Sequence, residues 1–132
     1  MRKIVVDTNA YSFLCKGRSD VAQLLSNYDL VLVPAIVLGE LEAGFHGGTR
    51  YAQNKDCLNR FLSLPRVRIL GVTKAAAEAY GQIYSALKNA GTLVPINDVW
   101  IAAQTIAEDA ALVTFDEHFK KIPGLNLILK EV

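Results

Sequence analysis

Cysteine is scarce in this sequence, and its spacing does not match any common metal-binding motif. Cys15 and Cys57 are the two cysteines among 132 residues, and they do not form a CxxC arrangement. This spacing excludes a zinc ribbon, and so few cysteines exclude a disulfide-rich secreted scaffold. In a chain this apolar we expect both thiols to be reduced and packed rather than bridged, which is typical of a cytoplasmic protein.

Long apolar runs and a large net charge are also absent. The longest apolar run, LVLVPAIVLG, contains Pro34 and is shorter than the ~20 residues that a membrane-spanning helix needs. Asp7 interrupts the apolar stretch that follows Arg2 and Lys3, so we expect no signal peptide. The formal net charge is +1, which is too small to attract nucleic acid through the overall field. A nucleic-acid partner would therefore need a local binding site.

The composition favours one folded domain. Hydrophobic residues make up 52% of the chain and charged residues 20%, which excludes a disordered tail. The sequence has no internal repeat, no low-complexity segment and no linker. We therefore predict a single domain over residues 1–132.

Strand-like and helix-like segments alternate along the chain. The apolar segments KIVV, DLVLVP, VRILGV, ALVTF and LNLILKEV predict five strands, and the segments between them have helical periodicity. This alternation predicts an α/β fold, a three-layer sandwich with a mostly parallel central sheet of about five strands. Sites in such folds lie beyond the carboxyl ends of the strands, and Asp7 and Asp116 occupy two such ends.

Asp7 and Asp116 each have two interpretations. Each carboxylate either caps the helix that follows it or belongs to a site. Thr8 and Asn9 are close enough to cap the first helix instead, which would free Asp7. Thr114 points to the same side of its strand as Asp116, where it either hydrogen-bonds within a site or simply packs.

Glu40 and Asp98 border apolar stripes of two predicted helices. Glu40 lies four residues after Ile36 and three after Val37, with no Lys or Arg within helical reach. A charge on a core-facing stripe is costly unless something pairs with it, so we favour a site over a position at the rim. Asp98 either caps its own helix or is left free because Asn97 caps it.

Four carboxylates brought together by a fold would repel one another. Such a cluster needs a counter-charge, and a hard divalent cation, Mg²⁺ or Mn²⁺, suits oxygen ligands. A cation of this kind can activate water and stabilise charge during attack on phosphorus.

In combination, these motifs resemble the PIN domain, and more closely the VapC-type toxins of bacterial and archaeal toxin–antitoxin pairs. The segments VVDTN, LGELEAG, INDVWIAAQ and LVTFDEHF occur in the order typical of that family and cover the whole chain. The resemblance implies a metal-dependent endoribonuclease with a parallel sheet flanked by helices. It also implies a homodimer that is inhibited by a cognate VapB-like antitoxin.

The resemblance assigns roles residue by residue. It implies that the catalytic and metal-binding acids are Asp7, Glu40, Asp98 and Asp116, and that the polar positions beside them are Thr8 or Asn9 and Thr114. One departure is Phe115, because many relatives carry Asn or Arg just before or at this position.

Other polar residues have weaker signals. Lys16, Arg18 and Arg50 lie in predicted loops or at helix ends near the mouth of the site. They either contact RNA phosphates or are ordinary solvated charges. We interpret His118 as a residue that packs beside Phe119 rather than as a general base.

Three other functions compete with a nuclease. A catalytically silent module of the same fold would bind RNA or a protein, but it would not need to keep Glu40 on an apolar face. A phosphoacceptor of the response-regulator type needs an acidic pair after the first strand and a late lysine. A phosphatase needs a second aspartate in a DxD loop. The segment VVDTN supplies one acid, and LVTF ends without lysine.

Overall fold

The computed structural model describes residues 1–132 as five strands and six α-helices, with one short 3₁₀ helix. The elements in chain order are β1 Lys3–Val6, α1 Thr8–Cys15, α2 Ser19–Ser26, β2 Leu30–Pro34, α3 Ala35–Gly47, α4 Tyr51–Leu62, β3 Val67–Leu70, α5 Lys74–Asn89, α6 Ile96–Ala107, β4 Ala111–Thr114, the 3₁₀ helix Glu117–Lys121 and β5 Asn126–Leu129. None of the helices is both long enough and apolar enough to cross a membrane.

The five strands form one sheet in the order β3-β2-β1-β4-β5. All four neighbouring pairs are parallel, and Val5 at the centre pairs with Leu32 on one side and Leu112 on the other. The predicted α/β fold with a parallel sheet is confirmed. The chain adds strands outward from β1 on one side and then from β4 on the other, so the order reverses between β1 and β4. Ligands of open parallel sheets bind outside such a reversal.

The central strands are buried on both faces. Ile4, Val5 and Val6 have no exposed surface, and Leu112 and Val113 of β4 are equally buried. A strand covered by helices on both faces gains from every side chain being apolar, so these segments are continuous apolar runs rather than alternating ones. These buried strands fix the position of Asp7, which follows β1 directly, and of Asp116, which Phe115 separates from β4.

Polar caps begin α1 and α5, and a glycine follows the end of each. Asp7 is the N-cap of α1, and the Thr73 hydroxyl accepts a hydrogen bond from the Ala76 amide at 3.1 Å at the start of α5. Gly17 and Gly91 follow α1 and α5 with φ of +94° and +70°. Glycine adopts this left-handed conformation without the strain that a Cβ would bring.

Candidate active site

A single pocket at the carboxyl edge of the sheet contains all four predicted acids. Asp7 follows β1, Asp116 follows β4, Glu40 comes from α3 and Asp98 from the first turn of α6. The pocket has a volume of about 380 Å³ and is lined by Asp7, Thr8, Asn9, Ser12, Phe13, Lys16, Glu40, Asp98 and Asp116. Residues separated by more than a hundred positions in sequence therefore meet at the reversal of strand order.

Asp7 caps α1 and faces this pocket at the same time. Its Oδ1 accepts a hydrogen bond from the Thr8 amide at 2.8 Å, and its Oδ2 accepts one from the Thr114 hydroxyl at 2.7 Å. The residue is only 5% exposed. Burial raises the pKa of Asp7 to about 6 despite both hydrogen bonds, and the nearby carboxylates of Asp98 and Glu40 add to the increase. Asp7 is thus a carboxylate that is costly to ionise without a counter-charge.

Thr114 connects two of the acids. Its fully buried hydroxyl donates to Asp7 and accepts a hydrogen bond from the Asp116 amide at 3.0 Å. The sequence leaves open whether Thr114 bonds within a site or packs, and the structure shows that it bonds. Asn9 ties the same strand end to α1, because its Oδ1 accepts a hydrogen bond from the Phe115 amide at 3.1 Å.

Replacing Thr114 with valine is expected to weaken both the fold and the site. The change keeps the volume but removes the hydroxyl, which leaves a buried Asp7 oxygen and the Asp116 amide without their partner. We expect a loss of about 1–3 kcal/mol in the free energy of unfolding, measured by urea denaturation. We also expect RNA cleavage to fall by about 10–100-fold, as for other groups that orient metal-binding residues.

Thr105 offers a matched control for this prediction. It is also fully buried, but its hydroxyl donates to the Ile101 carbonyl of its own helix at 2.8 Å, away from the acids. Thr105→Val is expected to leave the cleavage rate within about twofold, because no group of the pocket loses a partner. Equal losses of activity in the two variants would contradict a positioning role for Thr114.

Glu40 lies at the mouth of the pocket. Its Oε1 accepts a hydrogen bond from the Thr8 hydroxyl at 2.6 Å, and the Asn97 amide nitrogen lies 3.5 Å from its Oε2. The side chain is half-buried at the rim, whereas Val37 on the same helix is completely buried. The expectation that Glu40 occupies a core-facing stripe is therefore wrong, because α3 turns this residue toward the pocket entrance.

Asp98 is nearly buried and does not cap its helix. Pro95 is the N-cap residue of α6, and the Asp98 amide donates to the Pro95 carbonyl at 3.0 Å. Both capping interpretations, for Asp98 and for Asn97, are thus wrong. Burial raises the pKa of Asp98, and the carboxylates of Asp116 and Glu40 raise it further, while the hydrogen bond and charge of His118 oppose the increase.

His118 lies beside two of the acids, which the sequence interpretation missed. Its Nδ1 is 3.3 Å from Asp98 Oδ2 and 3.1 Å from Asp116 Oδ1, and the three groups lie within 4.8 Å of one another. Asp116 caps the 3₁₀ helix by accepting a hydrogen bond from the His118 amide at 2.9 Å. The sequence feature that could have indicated this position is the capping aspartate, because a residue two positions after such an aspartate is held close to its carboxylate.

The donor set fits a hard divalent cation. Four carboxylates share a pocket in which Lys16 is the one basic lining residue. Burial is the main cause of the raised pKa values of Asp7 and Asp98, and the neighbouring carboxylates add to it, so a counter-charge would favour the ionised form of both. Oxygen donors of this kind suit Mg²⁺ or Mn²⁺.

The three basic candidates occupy different surroundings. Lys16, at the end of α1, lines the pocket with the acids. The Arg18 guanidinium donates two hydrogen bonds to the carboxylate of Asp20, at 2.9 and 2.8 Å. Arg50 lines a neighbouring groove instead. The structure therefore brings Lys16 to the acids and does not bring Arg18 or Arg50 into contact with them.

Comparisons with known proteins agree with this geometry. The family model for the PIN domain matches residues 4–125. The chain is 36% identical to ribonuclease VapC2 of Rickettsia felis, covering 93% of this chain and 94% of that protein. It is 32% identical to ribonuclease VapC4 of Mycobacterium tuberculosis, covering 97% of each.

Solved structures give the same result. A structure of VapBC2 from Rickettsia felis bound to a DNA fragment from their promoter contains a chain that superposes with a TM-score of 0.86. The sequence identity is 30%, and the match covers 96% of this chain and 98% of that one. The family match, the relatives and the shared fold show that this chain belongs to the PIN domain family, among its VapC-type members.

Proposed function

We propose that this chain is a divalent-cation-dependent endoribonuclease and the toxin of a toxin–antitoxin pair. The observation that carries the proposal is the convergence of Asp7, Glu40, Asp98 and Asp116 in one pocket at the strand-order reversal. Relatives that are named ribonucleases support RNA as the substrate. The proposal treats residues 1–132 as one nuclease domain.

The acids would divide their roles by burial. Asp7 and Asp98, the two most buried, would hold Mg²⁺ or Mn²⁺, with Asp116 and Glu40 completing the site toward solvent. When bound, the cation supplies counter-charge and a Lewis acid for phosphodiester hydrolysis. Thr114 would keep Asp7 and Asp116 in register through its two hydrogen bonds. A proton on His118 Nδ1 would hold Asp98 and Asp116 together.

Lys16 would guide the RNA backbone to the acids. It is the cation that borders the pocket, whereas Arg18 is already paired with Asp20. Arg50 would contact RNA only if the strand extends over the neighbouring groove. RNA phosphates bind lysine mainly through charge, with release of counterions.

Replacing Lys16 with alanine is expected to weaken RNA binding without removing catalysis. We expect KM to rise about 3–10-fold while kcat stays within twofold. We also expect the slope of log KM against log salt concentration to decrease by roughly the contribution of one phosphate contact. Initial rates at several salt concentrations give both values. Lys88→Ala, on the exposed end of α5, is the matched control. A fall in kcat with unchanged KM would contradict this role.

The partners follow from the same relatives. The solved VapBC complexes support a VapB-like antitoxin as a partner of this chain. From the family resemblance we further propose that this antitoxin inhibits the chain and that the chain forms a homodimer in the cytoplasm. Expression of the wild type and of Asp7→Ala in a bacterial host tests the proposal. We expect growth arrest and new RNA ends with the wild type alone. Arrest by both proteins without new ends would replace the enzyme with an RNA- or protein-binding module.

A further inference from the structure

The two cysteines lie side by side, although 42 positions separate them in sequence. Cys15 ends α1 and Cys57 lies within α4, and their sulfur atoms are 3.5 Å apart. Both are free thiols, and Cys15 is exposed while Cys57 is half-buried. The expectation that both thiols are packed away from solvent is therefore wrong for Cys15.

An aromatic contact fixes the spacing of the two helices next to these thiols. Tyr11 lies one helical turn before Cys15, and Phe61 lies one turn after Cys57. The two rings meet edge to face with centroids 5.3 Å apart, and Tyr11 is 3% exposed. Two pairs of residues at (i, i+4) spacing thus meet along an antiparallel helix contact. The closeness of the sulfur atoms thus accompanies the packing of a buried and a half-buried ring between the two helices.

The Tyr11 hydroxyl points to a role for the thiols. It is buried and has no hydrogen-bond partner, although a buried hydroxyl normally finds one. Burial raises the pKa of Tyr11, and both neighbouring thiols raise it further. The pKa of Cys15 is raised, mainly by burial and further by Cys57, whereas the Tyr11 hydroxyl lowers it in part. A thiolate at this position would give the hydroxyl the acceptor that it lacks.

Small molecules can reach these sulfur atoms. The two cysteines belong to a groove of about 430 Å³ between α1, α3 and α4. Its lining residues are Tyr11, Ser12, Cys15, Lys16, Leu41, Phe45, Arg50, Asn54 and Cys57. Two cations, Lys16 and Arg50, also border the groove. Ser12 and Lys16 also line the acidic pocket, so the groove adjoins the candidate active site.

We propose that Cys15 and Cys57 form a reversible thiol–disulfide site, in which a low-molecular-weight disulfide such as oxidised glutathione converts them to an intramolecular disulfide. The Cys15 thiolate attacks one sulfur of the oxidant, whose sulfur–sulfur bond breaks, and the departing thiolate takes up the proton that Cys15 released. Cys57 then attacks the Cys15 sulfur and expels the second thiol, which takes up the Cys57 proton. The two cysteines lose two electrons, and the oxidant becomes two thiols.

The disulfide would join α1 to α4 across the groove. The sulfur atoms move from 3.5 Å to about 2.05 Å, the length of a disulfide bond. Asp7 caps the start of the helix that Cys15 ends, so the link fixes the far end of a helix that borders the candidate metal site. In a reducing cytoplasm the bond would form only under oxidative challenge.

Thiol titration of the purified full chain tests this proposal. The wild type, Cys15→Ser and Cys57→Ser are equilibrated with glutathione buffers from reducing to oxidising, alkylated and weighed by mass spectrometry. We expect the wild type to lose both alkylatable thiols together without gaining glutathione. Each serine variant is expected to carry one glutathione on its remaining cysteine. Because the bond closes a long loop, the oxidised wild type is expected to unfold several degrees higher than the reduced form.

Three results would overturn the proposal: two glutathiones on the wild type, disulfide-linked dimers, or two alkylatable thiols in the most oxidising buffer. Tyr11→Phe tests the hydroxyl separately, because the ring that sets the helix spacing is retained. We expect it to slow oxidation several-fold at neutral pH and to move the pH profile of the rate upward. A profile that matches the wild type would remove Tyr11 from the proposal.

Discussion

Replacing Asp7 with asparagine is expected to abolish RNA cleavage while making the metal-free protein more stable above pH 7. Loss of the charged oxygen donor should lower the cleavage rate by more than about 100-fold, because changes to groups behind a metal ligand already cost roughly 10–100-fold. The shape of the side chain is kept, and its Oδ1 still accepts from the Thr8 amide. Its Nδ2 would donate to the Thr114 hydroxyl, which would then donate to Asn9 Oδ1, 3.4 Å away. The activity loss would therefore not come from unfolding.

The gain in stability follows from the sign of the pKa shift. Burial raises the pKa of Asp7 from 3.8 to about 6, so the folded state holds this proton more tightly than the unfolded state. Below about pH 4 the carboxyl group is protonated in both the folded and the unfolded state, so it does not change the free energy of unfolding. As the pH rises through 6, ionisation destabilises the folded wild type by about 3 kcal/mol. Asparagine does not ionise, so it avoids this loss.

Urea denaturation in EDTA at pH 4 and pH 8 measures this difference. Asp7→Asn should exceed the wild type in the free energy of unfolding at pH 8, and the gap should shrink toward pH 4. Asp56→Asn is the control, because Asp56 forms an exposed pair with Arg60 on α4. The Asp56→Asn substitution should change neither the cleavage activity nor the pH dependence of the free energy of unfolding. A less stable Asp7→Asn at pH 8 would mean that Asp7 is a structural cap whose charge the fold needs.

Removal of divalent cations is expected to stop cleavage and to lower the thermal stability of the wild type. Cation binding to the folded state alone adds about 2.7 kcal/mol at a hundredfold excess over Kd, equivalent to a rise in Tm of roughly 8 °C for a chain of this size. Mn²⁺ should produce this rise in the wild type and a much smaller one in Asp7→Asn. Thermal denaturation with Mn²⁺, Mg²⁺ and EDTA measures the effect.

Activity provides the matching readout for the cation. Cleavage should disappear in EDTA and return when Mn²⁺ or Mg²⁺ is added in excess. Ca²⁺ at the same concentration controls for ionic strength and for simple neutralisation of the acids. Full activity in EDTA would mean that the four carboxylates work without a cation, and a Tm that rises equally in both proteins would place the cation elsewhere.

The elements of the fold could be predicted from the sequence, but their arrangement could not. KIVV and ALVTF stand out as strands because burial on both faces requires continuous apolar runs, and both strands form. The sheet order is not contained in any local pattern, since the neighbours of β1 are β2 and the distant β4. The family resemblance implied a parallel sheet flanked by helices, without the order of its strands.

The candidate site was partly predictable for the same reason. Asp7 and Asp116 could be found because each lies within two residues of the end of a buried strand, and both also prove to be caps. The position of Glu40 at the rim depends on how α3 rotates against the sheet, which the period of its sequence leaves undetermined. The contacts of His118 and the pairing of Cys15 with Cys57 depend on tertiary packing, so neither was visible in the sequence.

The central claim, that the four converging acids form a ribonuclease site, is tested most directly by mapping RNA ends in vitro. Purified wild type and Asp7→Asn would be incubated with total bacterial RNA in Mn²⁺ or in EDTA, and the new ends sequenced. We predict discrete new ends with the wild type in Mn²⁺ and none in the other three reactions. Identical ends from both proteins, or RNA binding by the wild type with no cleavage at all, would contradict the account.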